Sequence, residues 1–236
     1  AQQMAAQIDY IFLLYGFSFL LMAATIWTGL CRTDDELRWK WLAAFGLIHG
    51  VNEWLDMLAL DLGDSGIFRL ARTFLAGLSF VCLLEFGRSS LKPLGKQGFS
   101  YYWHFPFVLL CGSSLFLGTD ELNAVCRYGL AFPGAFLTGV CLFLSMRQNP
   151  PGAHGRILMA CSFLIYALAS GLIVPRCSLA PALLINQETF LTLTGIPVQL
   201  VRTLCAMLAA FGARLAYQPL KNAAESESSY SQRLIP

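Results

Sequence analysis

Apolar residues run along this chain in long unbroken stretches, separated by short clusters of glycine, proline and acidic residues. A helix needs ~20 mostly apolar residues to cross the hydrocarbon core of a bilayer. Seven stretches have that length: about 9–30, 40–60, 67–87, 101–118, 122–145, 156–174 and 196–217. Thr33-Asp34-Asp35-Glu36 ends the first, and Asp61-Leu62-Gly63-Asp64-Ser65-Gly66 the second. Pro93, Gly95 and Gly98 follow the third, and Gly118-Thr119-Asp120 the fourth. Asn149-Pro150-Pro151-Gly152 and Pro175 close the fifth and sixth. The runs are continuous rather than alternating, which argues against the ~10-residue strands of a membrane barrel. The pattern predicts an all-α, polytopic membrane protein with seven transmembrane helices over residues 1–217. Residues 218–236 are polar, and Asn222–Pro236 is rich in Ser and Glu, so this end reads as a disordered tail or linker.

The segment 178–195 breaks the pattern. It mixes Leu and Ile with Asn186, Gln187, Glu188 and several threonines, and is too polar to span. It predicts a short helix near 180–194 that lies in the interface or re-enters the bundle.

Composition agrees with a membrane location. Only 13% of residues are charged and 56% are hydrophobic, where a soluble domain carries roughly 25% charged residues. No basic leader followed by a small-residue cleavage site is apparent. Orientation follows from Lys and Arg, which favour cytoplasmic loops. Arg32, Arg38, Lys40, Arg88, Lys92, Lys96, Arg147 and Arg156 follow helices one, three and five, and Arg214, Lys221 and Arg233 lie at the C-terminal end. The opposite loops hold only Arg176. The predicted orientation is N-terminus outside and C-terminus cytoplasmic. Trp27, Trp39, Trp41, Tyr101, Tyr102 and Trp103 sit near the span ends and read as interfacial anchors.

The charges inside the spans change the picture. His49, Asn52, Glu53 and Asp56 are spaced i, i+3, i+4 and i+7, which sets all four on one helix face. An acidic residue at mid-bilayer costs ~2.5–3.5 kcal/mol on insertion scales, so this ridge must face the bundle interior or a watery cavity. Arg69 and Arg72 open the third helix, Arg127 the fifth, and Gln199 and Arg202 the seventh, with Glu188 just before it. Depth along the helices places these groups in the outer half of the bilayer. They predict one polar pocket, open to the outside and roofed by 178–195. Two readings stay open: structural ion pairs such as Asp56 with Arg69 or Arg72 and Glu188 with Arg127 or Arg202, or a ligand site. His49 could ligate a metal or haem b, or be an interior histidine hydrogen-bonded to Glu53. Eight cysteines are scattered with no CxxC pair. An outer disulfide between Cys126 and Cys177 is conceivable in an oxidising compartment. No nucleophile–base constellation, phosphate loop or HExxH occurs, so no catalytic residue is assigned.

Three stretches carry a resemblance. They are Phe45-Gly-Leu-Ile-His-Gly-Val-Asn-Glu-Trp-Leu-Asp56, then Leu78-Ser-Phe-Val-Cys-Leu-Leu-Glu-Phe-Gly-Arg88, and the pair Gly171-Leu-Ile-Val-Pro175 and Gly195-Ile-Pro-Val-Gln-Leu-Val-Arg202 with Asn186 between them. They resemble the N-terminal seven-helix membrane sensor regions of bacterial sensor histidine kinases and diguanylate cyclases. The resemblance implies a sensory input module that signals to a cytoplasmic domain or partner protein. No PAS, kinase or GGDEF module lies within the chain, so output activity is not carried over. Alternatives are a haem- or quinone-binding subunit of a larger redox complex, a homodimer or membrane-complex subunit, and a transporter. Nothing in the composition points to nucleic acid.

Overall fold

The computed structural model describes residues 8–33, 36–146 and 152–233, with side chains as far as Asn222. The predicted breaks at Asp34-Asp35 and Asn149-Pro150-Pro151, and the cation Arg147, lie outside the described residues. So does the Arg233 side chain.

The described residues are almost entirely helical. We number the helices α1 (Ile8–Thr28), α2 (Trp39–Leu62), α3 (Gly66–Leu91), α4 (His104–Ser114), α5 (Thr119–Ser145), α6 (Ala153–Gly171), α7 (Ala180–Leu184), α8 (Gln187–Thr194) and α9 (Val198–Arg233). Five of them are long and apolar enough to cross a membrane: α1, α3, α5, α6 and α9. This is the signature of a multi-pass membrane protein. The remaining two predicted spans behave differently. Helix α2 is long, at 24 residues, but its polar ridge lowers its hydropathy. Helix α4 has only 11 residues, about 16 Å at ~1.5 Å per residue. A 3-10 turn at Tyr101–Trp103 precedes it, and turn residues 115–117 follow.

Six helices close a ring in which each touches its neighbours in the order α1, α2, α3, α5, α6, α9 and back to α1. Helix α4 stands outside the ring and packs mainly on α5. Small residues set the closest approaches. At the α1–α2 crossing, a Cβ added at Gly50 would lie 2.8 Å from the Gly16 carbonyl oxygen, so only glycine fits there. The outward faces carry large apolar side chains, such as Leu13, Phe17 and Leu21 on α1 and Leu47 and Leu58 on α2. That is the arrangement expected when the surrounding solvent is lipid.

Three expectations need correction. Helix α9 does not end at 217; it continues to Arg233 with Pro219 inside it, through most of the stretch read as a disordered tail. Segment 178–195 is two short helices, broken where Asn186 caps α8 by accepting from the Thr189 N–H at 2.9 Å. Trp39 is not an interfacial anchor: it is buried against Phe86, with the Arg156 guanidinium over its ring.

Candidate functional site

The ridge on α2 points inward, as its spacing requires. His49, Asn52 and Glu53 are buried, while Leu47, Val51 and Leu58 on the other side of α2 are exposed. His49 sits among the rings of Phe19, Phe45 and Phe80, stacked on Phe45 at 5.2 Å. Its Nδ1 meets Ser79 Oγ at 2.9 Å. Its Nε2 meets the Tyr166 hydroxyl at 2.8 Å and the Glu53 carboxylate at 3.2 Å. Tyr15 donates to Tyr166 at 3.2 Å and extends the network to α1. Both ring nitrogens are therefore engaged by protein, and aromatic side chains fill the space a porphyrin would need. The haem or metal role of His49 does not fit this geometry. Among the described residues, no group of three or more His, Cys, Asp or Glu could hold a metal ion. His49 instead forms a floor that positions Glu53.

Above that floor lies a polar cavity of about 290 Å³ at the end of the ring where α2 stops and α3, α5 and α9 start. Its walls include Asn52, Glu53, Asp56, Arg69, Arg72, Arg127, Gln199 and Arg202, contributed by α2, α3, α5 and α9. The convergence expected from depth arithmetic is present. Glu53 lies within charge–charge range of Arg72, Arg127 and Arg202.

The charges divide into a rim and an interior. At the rim, Arg72 pairs with Asp56 and also with Asp64 at 2.7 Å, and Arg69 pairs with Asp64 at 2.8 Å. The partner predicted for Asp56 is thus Arg72. In the interior, Arg127 and Arg202 are buried and, among the described residues, form no ion pair with a carboxylate within 4 Å. Arg127 donates to Asn123 Oδ1 at 2.7 Å and to Ser170, and lies over the Phe80 ring. Arg202 donates to the carbonyls of Ala169 at 3.0 Å and Ile173 at 2.6 Å, the unpaired acceptors at the end of α6. Two wall atoms, Asn52 Oδ1 and Arg72 Nε, are buried and have no hydrogen-bond partner among the described residues.

Two predicted site residues fall elsewhere. His49 lies beneath the cavity rather than on its wall. Glu188 points away, and its partner is neither Arg127 nor Arg202 but Arg176, at 3.5 Å with both side chains exposed. Its neighbour Gln187 takes the wall position and accepts from Gln199 at 3.2 Å. Successive helical residues differ by about 100° in direction, so one step decides which of them faces in. The sequence reading missed Asp64, Asp120 and Asn123, all of which line the cavity. They sit in or beside turns, where acidic and amide residues read as helix breakers and caps. Cys126 and Cys177 are both free thiols.

Compared with family models, with curated proteins and with solved structures, the chain matches none.

Proposed function

We propose that this chain is a sensory input module of the bacterial inner membrane. It binds a small anionic ligand in the polar cavity and passes the event along α9 to a cytoplasmic output domain or partner protein. The observation that carries the proposal is the pair of buried guanidiniums lining the cavity, Arg127 and Arg202, which form no carboxylate ion pair among the described residues. Holding such a charge away from water costs on the order of several kcal/mol per ion unless it is compensated. Glu53 is a cavity carboxyl within charge–charge range of both, and its Oε1 already faces His49. A ligand carboxylate or phosphate supplies the rest. The unpartnered Asn52 Oδ1 and Arg72 Nε add an acceptor and a donor for the remainder of the ligand.

In this reading α2 and the segment 101–117 join the five apolar helices as spans, for seven in all. The cavity opens outside, because the basic loops gather at the opposite end of the bundle. Helix α9 gives the signal its route: Gln199 and Arg202 line the cavity, and the same helix runs 36 residues to Arg233. Movement of Arg202 toward an anion would therefore displace one continuous rod. The resemblance to the membrane regions of sensor histidine kinases and diguanylate cyclases supports the same role.

The test is thermal stability in lipid nanodiscs against a panel of acetate, glycolate, succinate, glutamate and phosphate. At least one anion should raise the melting temperature of the wild type and leave Arg202→Gln unmoved. Equal shifts in both proteins, or no shift with any anion, would contradict the proposal. In cells, Arg202→Ala or Glu53→Gln should abolish the response while the protein still inserts.

A further inference from the structure

The polar cavity is walled by four arginines and four carboxyl groups, and most of them answer one another. At the rim, Arg69 and Arg72 are matched by Asp56 and Asp64, and Glu53 is turned to His49. Three groups are left over. Arg127 Nη2 and Arg202 Nη1 donate to no acceptor among the described residues, while the other two nitrogens of each guanidinium are bound. Neither of these free nitrogens is sealed from solvent space. Both residues are otherwise buried, so the space they meet is the cavity. The third group is Asp120, an exposed wall residue with no ion pair or hydrogen bond among the described residues.

Asp120, Asn123 and Arg127 stand at i, i+3 and i+7 of α5, which sets them on one helix face. Asp120 lies in the first turn, where the helix N-terminus favours negative charge. Its neighbour Glu121 is held by Ser178 at 2.7 Å and is not on the wall. The bond from Arg127 Nε to Asn123 leans the guanidinium back along the helix. Seven residues rise about 10 Å and one turn about 5 Å, so about 5–10 Å part the two charges along α5. A π-helical turn, Arg127–Ala131, begins at the same arginine, and wide turns of this kind often accompany functional sites. A second cavity of about 290 Å³ lies between α3, α4 and α5, but its aromatic and aliphatic walls give a charged group nothing comparable to grip.

We infer that the ligand of the polar cavity is a zwitterion with well-separated charges, an ω-amino carboxylate. The inference deepens the anion-binding reading above and rests on it. The carboxylate accepts from Arg127 Nη2 and Arg202 Nη1, and the ammonium donates to Asp120. The separation needs several carbons between the two groups, more than the single carbon of an α-amino acid. A dicarboxylate fits less well, because it would set a negative group beside Asp120 while the rim arginines are already matched. A simple amine would meet two guanidiniums and bring no anion to answer them.

The experiment uses four probes of similar length: δ-aminovalerate, norvaline, valerate and pentylamine. Each is titrated into nanodiscs holding the full chain, and affinity is read from the ligand-induced rise in melting temperature. In the wild type, δ-aminovalerate should bind roughly tenfold more tightly than valerate, the difference of one charge-assisted contact. It should also exceed norvaline, and pentylamine should not bind. Asp120→Asn should erase the advantage of δ-aminovalerate over valerate, and Asp120→Glu should keep it. The melting temperature of each variant without ligand shows whether the fold is retained. Equal binding of valerate and δ-aminovalerate in the wild type, or an advantage that survives Asp120→Asn, would overturn the zwitterion and leave the anion site standing. Norvaline binding as tightly as δ-aminovalerate would overturn the separated charges. Failure of all four probes would overturn the inference too, and if the anions of the earlier panel also fail, the anion-binding reading falls with it.

Discussion

The two cavities have similar volumes and nearly opposite chemistry. The polar one lies where four helices of the closed ring meet, so the groups on its walls are held by helices that other helices hold in turn. Arg127 and Arg202 are fixed by α6 carbonyls, and Glu53 by the His49 network. The apolar one lies where α4 leans on the ring from outside, lined chiefly by Phe99, Trp103, Phe107, Phe132 and Phe136. The difference teaches where each kind of group can be kept in a membrane. Charges survive inside the ring because backbone acceptors and neighbouring charges replace water. At the margin, aromatic surface can remain open because lipid already solvates it.

The sharpest way to break the comparison is at the floor of the polar cavity. His49→Leu leaves Glu53, Ser79 and Tyr166 short of a partner, and each such loss costs about 1–3 kcal/mol. We expect a clear fall in melting temperature and loss of anion binding. Unaltered stability would mean that His49 does not organise the cavity. Next in size is Arg202→Gln, which removes a charged donor from the ligand. Charge-assisted bonds contribute ~1.5–3 kcal/mol, so anion affinity should fall roughly 10- to 100-fold by calorimetry.

A smaller effect sharpens the other side. Trp103→Ala removes the ring stacked on Phe107 and should cost about 1 kcal/mol or slightly more. It should lower the melting temperature slightly and leave the anion-induced shift intact. Smallest of all is Arg176→Ala. Its pair with Glu188 is exposed, and such pairs contribute ~0–1 kcal/mol. Stability and anion affinity should both stay near wild type. A large loss of affinity would restore Glu188 to the site.

Much of this was legible in the sequence, and the parts that were not failed for physical reasons. Continuous apolar runs revealed the long helices, because a lipid-facing helix has no polar side to hide. The i, i+3, i+4, i+7 ridge on α2 predicted its inward face, since helical periodicity ties spacing to direction. Spacing could not tell Gln187 from Glu188, because the phase of a short broken helix is set by its packing. Asp64 and Asp120 looked like punctuation between spans, and only the fold brings those turns over the cavity. The length of α9 was hidden by Pro219 and by a polar composition that suits a helix beyond the membrane as well as a tail. Glu85 and Arg88 on α3 meet His104 at the start of α4, a contact between two helices that no local spacing could signal.

The account stands most directly on what occupies the space between Arg127 and Arg202. An experimental density map of the protein purified in nanodiscs with its stabilising anion measures that. We predict a compact feature in contact with both guanidiniums and within hydrogen-bond distance of Asn52 or Arg72. A map in which Arg127 and Arg202 diverge to separate partners, with lipid or packed side chains between them, would contradict it.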